Sequence, residues 1–586
     1  MTVSEHIAEF LKKNNISNAF GIVGSHFLSL LNSLEKSNIK FYSVKHESSA
    51  GFMAAHYIRA AQKPTACLCT AGPGILNLII SIGEMYKAGL PALIISPMTS
   101  TDEFNRCGFQ DDSGFGDSYS INAVLKPMTK ESIILDHPEN IGCCLNKIQE
   151  LLFSAPYLPV HFSIPANYFE TKITNSNNLQ INSGLKNDDL TEIENAEKLI
   201  LESKKPIILL GKRAVYPSIS KDISNFVGKF NFPVITSYGA KGLIDENGPQ
   251  AFGVLDLFGH RSTEWLIKNS DLVISIGYEF GCSSTLKYDN KLINGKHIMI
   301  DTIHKKYDCV YKYDVMLVGG LHSILDALKS KLDKEKYFAY SNEKMCELRT
   351  MANELDKHWN KESETTNLPL KPQRIYKLLQ NVIDKNDCIL VADIGASSWW
   401  AVRYLKVQAG GFQTFPYNYS MGQASGGVMG VKVASPEKNV ICITGDGSFL
   451  MNGNEILTAK YYNINVVYLV FVNKMYGLVS FNQKVFSGED TGYATKFDIP
   501  DFNKLSDAYG IPGCTVSTEE EFTTKLNEYL GIKGVPSIIA VNFDTEEMLP
   551  SKPQSINVLS DFKDMGTIAY NKFLMKAFGS VLKEKV

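Results

Sequence analysis

A carboxylate and an amide stand in this chain where a metal-bound phosphate would need them. Gly445-Asp446-Gly447-Ser448 follows an apolar run at 440–444, and Asn473 closes a second run at 466–472. If the two runs are strands of one open α/β sheet, joined by a helix at 454–462, Asp446 and Asn473 become neighbours. They then lie beyond the carboxyl ends of the strands, where such sheets bind ligands. Side-chain oxygens of these two kinds suit magnesium, which fills its octahedron with phosphate oxygens and water. The glycines admit close backbone approach, and the helix start after them offers free N–H groups to an anion. Gly-Asp-Gly alone is a common turn; the strand before it and the Asn closing the next strand favour the chemical reading.

The elements that must hold these residues are legible as short β-branched and aliphatic runs alternating with helical patterns, the mark of parallel α/β architecture. Candidate strands are 19–23, 41–44, 65–70, 92–96 and 160–164, then 207–210, 234–236, 272–276 and 297–300, then 389–392, 440–444, 466–472 and 537–541. Most are continuously apolar, as strands covered on both faces are. Polar stretches at 175–189 and 360–371 read as linkers. The expected fold is therefore α/β, with three doubly wound parallel-sheet domains at 1–180, 190–360 and 370–586. At 586 residues the chain exceeds one core, given roughly 150 residues per domain.

Composition narrows the function classes. Apolar residues make up 44% and charged residues 21%, and the formal charge is -3, so no basic field marks a nucleic-acid or membrane partner. No run is long and apolar enough to span a membrane, and residues 1–13 read as an amphipathic helix, not a signal peptide, so a cytoplasmic protein is expected. The eleven cysteines form no metal-ligand pairs and read as free thiols, with Cys67 and Cys69 on one sheet face.

Gly445-Asp446-Gly447 with Asn473 resembles the thiamine diphosphate motif of acetolactate synthases, pyruvate oxidases and 2-oxo acid decarboxylases. The resemblance implies a Mg²⁺ ion ligated by Asp446, Asn473 and the backbone carbonyl of Met475, clamping the diphosphate. Asp393-Ile394-Gly395-Ala396-Ser397 resembles a second diphosphate loop. Far upstream, His46-Glu47-Ser48-Ser49-Ala50 matches the setting in which the family keeps a glutamate bonded to N1' of the aminopyrimidine. That carboxyl promotes loss of the proton at thiazolium C2, which calls for partial burial and a raised pKa. A helix N-terminal glutamate favoured by the dipole is the bland reading of Glu47 in isolation.

Other matches extend along the chain. Residues 20–25 resemble the family's first strand and glycine turn, and 70–77, with Gly72 and Asn77, its Gly-Pro-Gly turn near the pyrimidine. Residues 108–111 resemble the segment that brings Gln110 to the catalytic centre. Met421 falls where the family places the apolar wedge that bends the cofactor, although a core methionine is the commoner case. The Tyr419 carbonyl would hold the aminopyrimidine, Ser448 and Tyr476 are expected among the cofactor-binding residues, and Tyr476 also reads as part of a lid. Residues 487–494 read as a lid. His26 stands in the loop that lines the pocket in related decarboxylases, where it orients a carboxylate, shuttles a proton or serves structure only. Arg106 is the nearest cation for an anionic substrate, or simply an exposed loop arginine.

By resemblance the first domain is nearest to sulfoacetaldehyde acetyltransferases and acetolactate synthases, and the last to acetolactate synthases. The implied activity is decarboxylation of a 2-oxo acid such as pyruvate, with transfer of the acyl unit to an acceptor. Release of an aldehyde is the near alternative. Family members build the site between subunits, which implies a homodimer or homotetramer. Gly277-Tyr278-Glu279-Phe280-Gly281 replaces the flavin segment of acetolactate synthases, so no FAD is expected. A nicotinamide or flavin oxidoreductase lacks support, because no Gly-x-Gly-x-x-Gly turn follows a strand with a properly spaced acid. A non-catalytic paralogue is disfavoured because Glu47, Asp446 and Asn473 are all present.

Overall fold

The computed structural model describes residues 1–173, 191–303, 311–487 and 492–547. Three six-stranded sheets follow one another along the chain. The first contains β1 (Asn18–Gly21), β2 (Lys40–Ser43), β3 (Thr65–Leu68), β4 (Ala92–Met98), β5 (Glu131–Ile134) and β6 (Val160–Pro165), in the order β2-β1-β3-β4-β6-β5. The second contains β7 (Pro206–Leu210), β8 (Val234–Ser237), β9 (Ala251–Leu255), β10 (Leu272–Ile276), β11 (Lys296–Asp301) and β12 (Val315–Val318), ordered β12-β11-β10-β7-β8-β9. The third contains β13 (Cys388–Ala392), β14 (Phe412–Gln413), β15 (Asn439–Gly445), β16 (Val467–Val472), β17 (Gly513–Val516) and β18 (Ser537–Asn542), ordered β14-β13-β15-β16-β18-β17. The strand pairs are parallel, as β10 with β7 and β15 with β16 illustrate. The three doubly wound sheets are the fold class expected.

Every expected strand is present, with ends shifted by a few residues. Five strands were not expected: β5, β9, β12, β14 and β17, and each lies at the edge of its sheet. The helix expected at 454–462 is also corrected. Helix begins at once with Asp446–Asn452, and a 3₁₀ turn at Gly453–Glu455 and a short helix Ile456–Tyr461 follow. Asp446 is thus the first residue of a helix, not part of a separate loop. The helix Asn342–Glu362 runs into the start of the linker expected at 360–371. The linker expected at 175–189 lies outside the described residues. The amphipathic helix at the N-terminus is Val3–Lys13, its Thr2 and Glu5 forming a capping box. None of the cysteines among the described residues is disulfide-bonded, and Cys67 and Cys69 are buried in one apolar core. No described helix is long and apolar enough to cross a membrane.

The N- and C-terminal domains share a core. Helix Glu47–Ala61 packs on helix Gln423–Ala434 through Ala50, Met53 and Ala54 against Ala424, Val428 and Val431. The two backbones approach so closely that a Cβ on Gly430 would lie 2.0 Å from the Met53 carbonyl oxygen, so glycine is required there.

His56, fully buried in this interface, bonds the side chains of Gln413 at 3.0 Å and Gln423 at 2.8 Å. Burial lowers its pKa to about 4, so the folded protein holds a neutral imidazole where the unfolded chain, at 6.5, takes a proton. Stability from this group is intact above pH 6.5 and falls as the pH drops towards 4, by about 2 kcal/mol between pH 7 and 5. Thermal melts at the two pH values should show a smaller acid-induced loss in His56→Gln than in the wild type. Equal losses would refute the assignment.

Candidate active site

In the third sheet the strand order reverses between β13 and β15, with β14 on one side and β16 on the other. Such a switch point leaves a crevice beyond the carboxyl ends of the strands. From β13 the chain passes through Asp393-Ile394-Gly395 into helix Ala396–Tyr404; from β15 it passes directly into helix Asp446–Asn452. Gly395 has φ +124°, and a Cβ built there or on Gly445 would meet no heavy atom within 4 Å. The two turns therefore border open space. Ser397 and Ser448 are buried behind them, and the Tyr476 ring lies 3.2 Å from where a Gly447 Cβ would stand.

Register explains the next feature. Gly445 pairs with Phe471, so Asp446 and Asn473 leave adjacent strands side by side. The Asp446 carboxylate accepts N–H groups from Gly447 at 2.8 Å, Asn473 at 2.9 Å and Lys474 at 2.6 Å. The Asn473 side-chain oxygen accepts the Met475 N–H at 3.1 Å. Asp446, Asn473 and Met475 are thus drawn into one turn, with Lys474 in the left-handed region at φ +57°. Burial raises the Asp446 pKa, and the three N–H groups oppose the rise. Among the described residues no group of three His, Cys, Asp or Glu side chains is placed to hold a metal. An ion at this turn would need phosphate or water oxygens to complete its shell, as magnesium does. The open turns and the hard-oxygen donors fit a magnesium-bound diphosphate.

Between β14 and helix Gln423–Ala434 lies a strained segment. Tyr419 has φ +56° and is 44% exposed, Met421 is half-buried, and Gly422 has φ +82°. Two carboxylates hold this segment. Asp393 accepts the N–H groups of Gly422 at 2.9 Å, Ala424 at 3.2 Å and Ser425 at 3.3 Å, and its own pKa is pushed up by burial to about 6. Glu84, from the N-terminal domain, accepts N–H groups from Tyr417 and Asn418, each at 3.3 Å, and the Ser420 hydroxyl at 3.0 Å. Burial raises Glu84 to about 7 against these three bonds.

The first sheet has its own switch point, between β1 and β3. Here the predicted N-terminal residues meet. Thr70 contacts His26 Nδ1 at 3.3 Å and donates its hydroxyl to Gln110 at 3.1 Å. The His26 ring stacks on Phe109, and burial lowers its pKa, which leaves a neutral imidazole at pH 7. Gly72, at φ +62°, donates its N–H to Asp112 at 2.9 Å, and a Cβ on it would press on Gln110 at 3.2 Å. Glu47, only 8% exposed, heads helix Glu47–Ala61 and accepts from the Asn77 side chain at 3.0 Å. A Cβ on Gly74 would lie 2.9 Å from Thr70 and 3.5 Å from Glu47, so both side chains lie beside this glycine. Glu47 is thus a helix N-terminal acid, as its bland reading has it, and it lies next to Asn77.

Some expected residues stand apart. Arg106 is exposed in its loop. Glu47 and Asp446 share no hydrogen-bond partner among the described residues. Of the lid expected at 487–494, residues 488–491 lie outside the described residues. Sequence reasoning missed Glu84 and Glu455. The Glu455 carboxylate, 1% exposed, accepts the N–H groups of Lys45 and His46, both at 2.9 Å, just before Glu47. Glu84 is the one acidic residue in the largely apolar helix Pro73–Ala88, a signal that could have found it.

The second sheet also has a switch point, between β7 and β10, where the strand ends pack closely on one another. A Cβ on Gly211 would lie 2.2 Å from Tyr278 Cα. Glu279 accepts the Lys212 N–H at 2.9 Å and the Ser237 hydroxyl at 2.8 Å, and Arg213 pairs with Asp301 at 2.5 Å.

Comparison with known proteins gives the same three-part division. The chain is similar to a probable acetolactate synthase large subunit of Methanococcus aeolicus, 28% identical over 551 residues and covering 90% of each chain. It is also similar to the acetolactate synthase large subunit of Haemophilus influenzae, 27% identical over 578 residues, which cover 93% of this chain and 95% of that one. Residues 1–119 match the N-terminal TPP binding domain of thiamine pyrophosphate enzymes, 193–328 the central domain and 393–541 the C-terminal TPP binding domain. Glu47 and the Asp446 turn fall within the two matched binding domains, and the chain belongs to the thiamine pyrophosphate enzymes.

Proposed function

We propose that this enzyme decarboxylates a 2-oxo acid such as pyruvate and transfers the acyl unit to an acceptor, using thiamine diphosphate and Mg²⁺. The observation that carries this reading is the turn joining Asp446, Asn473 and Met475 beside open glycine cradles. Asp446, Asn473 and the Met475 carbonyl would hold the ion, and the Gly395-Ala396-Ser397 turn with Gly445, Gly447 and Ser448 the diphosphate. Tyr419, Met421, Gly72 and Asn77 would border the rest of the cofactor, and Tyr476 would cover it. The bound thiamine diphosphate supplies a carbon centre that takes up the charge left when carbon dioxide departs. Glu47 would exchange a proton with the cofactor ring, its position fixed by Asn77. His26 is neutral, so it serves better as a proton shuttle than as a cation for a carboxylate. Gln110, in the left-handed region at φ +55°, would hydrogen-bond the substrate or acceptor. The acetolactate synthase names of the relatives favour a second 2-oxo acid as acceptor.

The two half-sites belong, in this proposal, to different subunits of a homodimer or a dimer of dimers, in the cytoplasm. Large apolar side chains flank both: Leu76 and Ile80 beside Asn77, Leu450 and Met451 beside Asp446, all at least 42% exposed. Such exposed apolar surface is suited to an interface. The close approach of Gly211 to Tyr278 at the β7/β10 switch point supports the reading that the central domain carries no FAD. One experiment tests both points: record the visible spectrum of the purified protein, then analyse products from pyruvate with and without a second 2-oxo acid or an aldehyde. The expected outcome is no flavin band, with acceptor-dependent ligation products. A flavin band would overturn the reading of the central domain, and free acetaldehyde as sole product would favour simple decarboxylation. Inertness towards every 2-oxo acid would overturn the function.

A further inference from the structure

We propose that Glu84 and Glu455 are positioning residues that form a reciprocal clamp, each reaching across the domain interface to hold the backbone turn that carries the other domain's site residues. Glu84 leaves the N-terminal domain to take the N–H groups of Tyr417 and Asn418 and the hydroxyl of Ser420. Glu455 leaves the C-terminal domain to take the N–H groups of Lys45 and His46, and its second oxygen accepts the Thr458 hydroxyl at 2.7 Å. The segments held are the ones that carry Tyr419 and Met421 on one side and Glu47 on the other.

Three observations make this more than interface packing. Glu84 is fully buried and Glu455 nearly so, and a buried carboxylate is costly unless its bonds are nearly all made. Each gives two of its bonds to main-chain N–H groups of a turn, which fixes backbone path instead of pairing with a cation. The turn at Tyr419 is strained: a left-handed non-glycine residue persists only where neighbours over-determine it. Asp393 holds the far end of that segment at Gly422, and Glu84 supplies the near end. Lys87, one turn further along the Glu84 helix, adds a bond to the Tyr417 carbonyl at 3.3 Å. Helix Pro73–Ala88 thereby carries both Asn77, the partner of Glu47, and the clamp on the Tyr419 turn.

The consequence for cofactor binding rests on the function proposed above and is asymmetric. Glu84→Ala should speed amide hydrogen exchange at residues 417–420 and weaken thiamine diphosphate binding about tenfold, while leaving the binding of magnesium with inorganic diphosphate unchanged. Glu455→Ala should instead speed exchange at residues 45–49 and lower kcat at saturating cofactor, with little change in thiamine diphosphate affinity. Glu84→Gln and Glu455→Gln keep an acceptor oxygen and should restore most of each loss. If Glu84→Ala fails to fold, Ser420→Ala removes one of the three bonds and should move the same readouts less. Equal weakening of thiamine diphosphate and inorganic diphosphate, or exchange that stays slow at 417–420, would overturn the clamp. Wild-type protein that binds no thiamine diphosphate would overturn the function instead, and the exchange measurements would still decide the clamp.

Discussion

Glu47→Gln is expected to lower kcat by roughly 10²–10⁴-fold, the range lost when a positioned acid–base group is removed, with cofactor affinity nearly unchanged. The side chain is almost fully buried, so the change adds no bulk and exposes no new surface. Its partner is the Asn77 amide, which donates at 3.0 Å. A glutamine oxygen accepts that bond as well as a carboxylate does, so the rotamer is kept. What is lost is the ability to take and return a proton. Cofactor binding, which the distant Asp446 turn would dominate, has no reason to change. Titration of thiamine diphosphate into the variant separates binding from turnover, and kcat within tenfold of the wild type would remove Glu47 from the proton path. Glu47→Ala is the less informative change, because it also leaves Asn77 without its acceptor.

The central strands and the motif-bearing turns were legible because their signals are local. β7, β10 and β16 are runs of largely buried, mostly apolar residues, and they announce themselves by composition. Most edge strands do not, although β2, an edge strand of the first sheet, was expected. β5 and β17 bury only one residue each, β12 alternates, and β14 is two residues long. An edge strand needs apolar side chains on fewer faces, so its pattern fades into that of a loop. The same divide runs through the site. Asp446, Asn473 and Glu47 follow or precede strong secondary-structure signals, and the sequence singles them out as candidates. Glu84 and Glu455 act on turns more than three hundred residues away in sequence, and no local pattern marks such a partner. The strained positions Gln110, Tyr419 and Lys474 were equally hidden, since left-handed backbone at a non-glycine residue is imposed by its surroundings.

Asp446→Ala should weaken magnesium-dependent thiamine diphosphate binding by at least ~100-fold, since loss of even an outer-shell partner of a metal site costs 10–100-fold. The effect has two sources. The variant removes the one carboxylate of the turn, and it leaves the N–H groups of Gly447, Asn473 and Lys474 without their acceptor, so the Asn473 and Met475 positions loosen as well. Melting of the apo-protein measures the second effect by itself, and the cofactor titration at varied magnesium measures the sum. A sharper result follows if the half-sites of different subunits face each other. Glu47→Gln and Asp446→Ala proteins are each inactive as homo-oligomers, but a mixed dimer regenerates one site with both residues intact. Random pairing in equal co-expression then returns about a quarter of wild-type activity, because half the dimers are mixed and each has one working site of two. A site built within one chain gives no recovery, because every chain then carries a damaged site. Activity near a quarter therefore requires Glu47 and Asp446 to serve one cofactor from two chains, and complete inactivity of the mixture would place both on the same one.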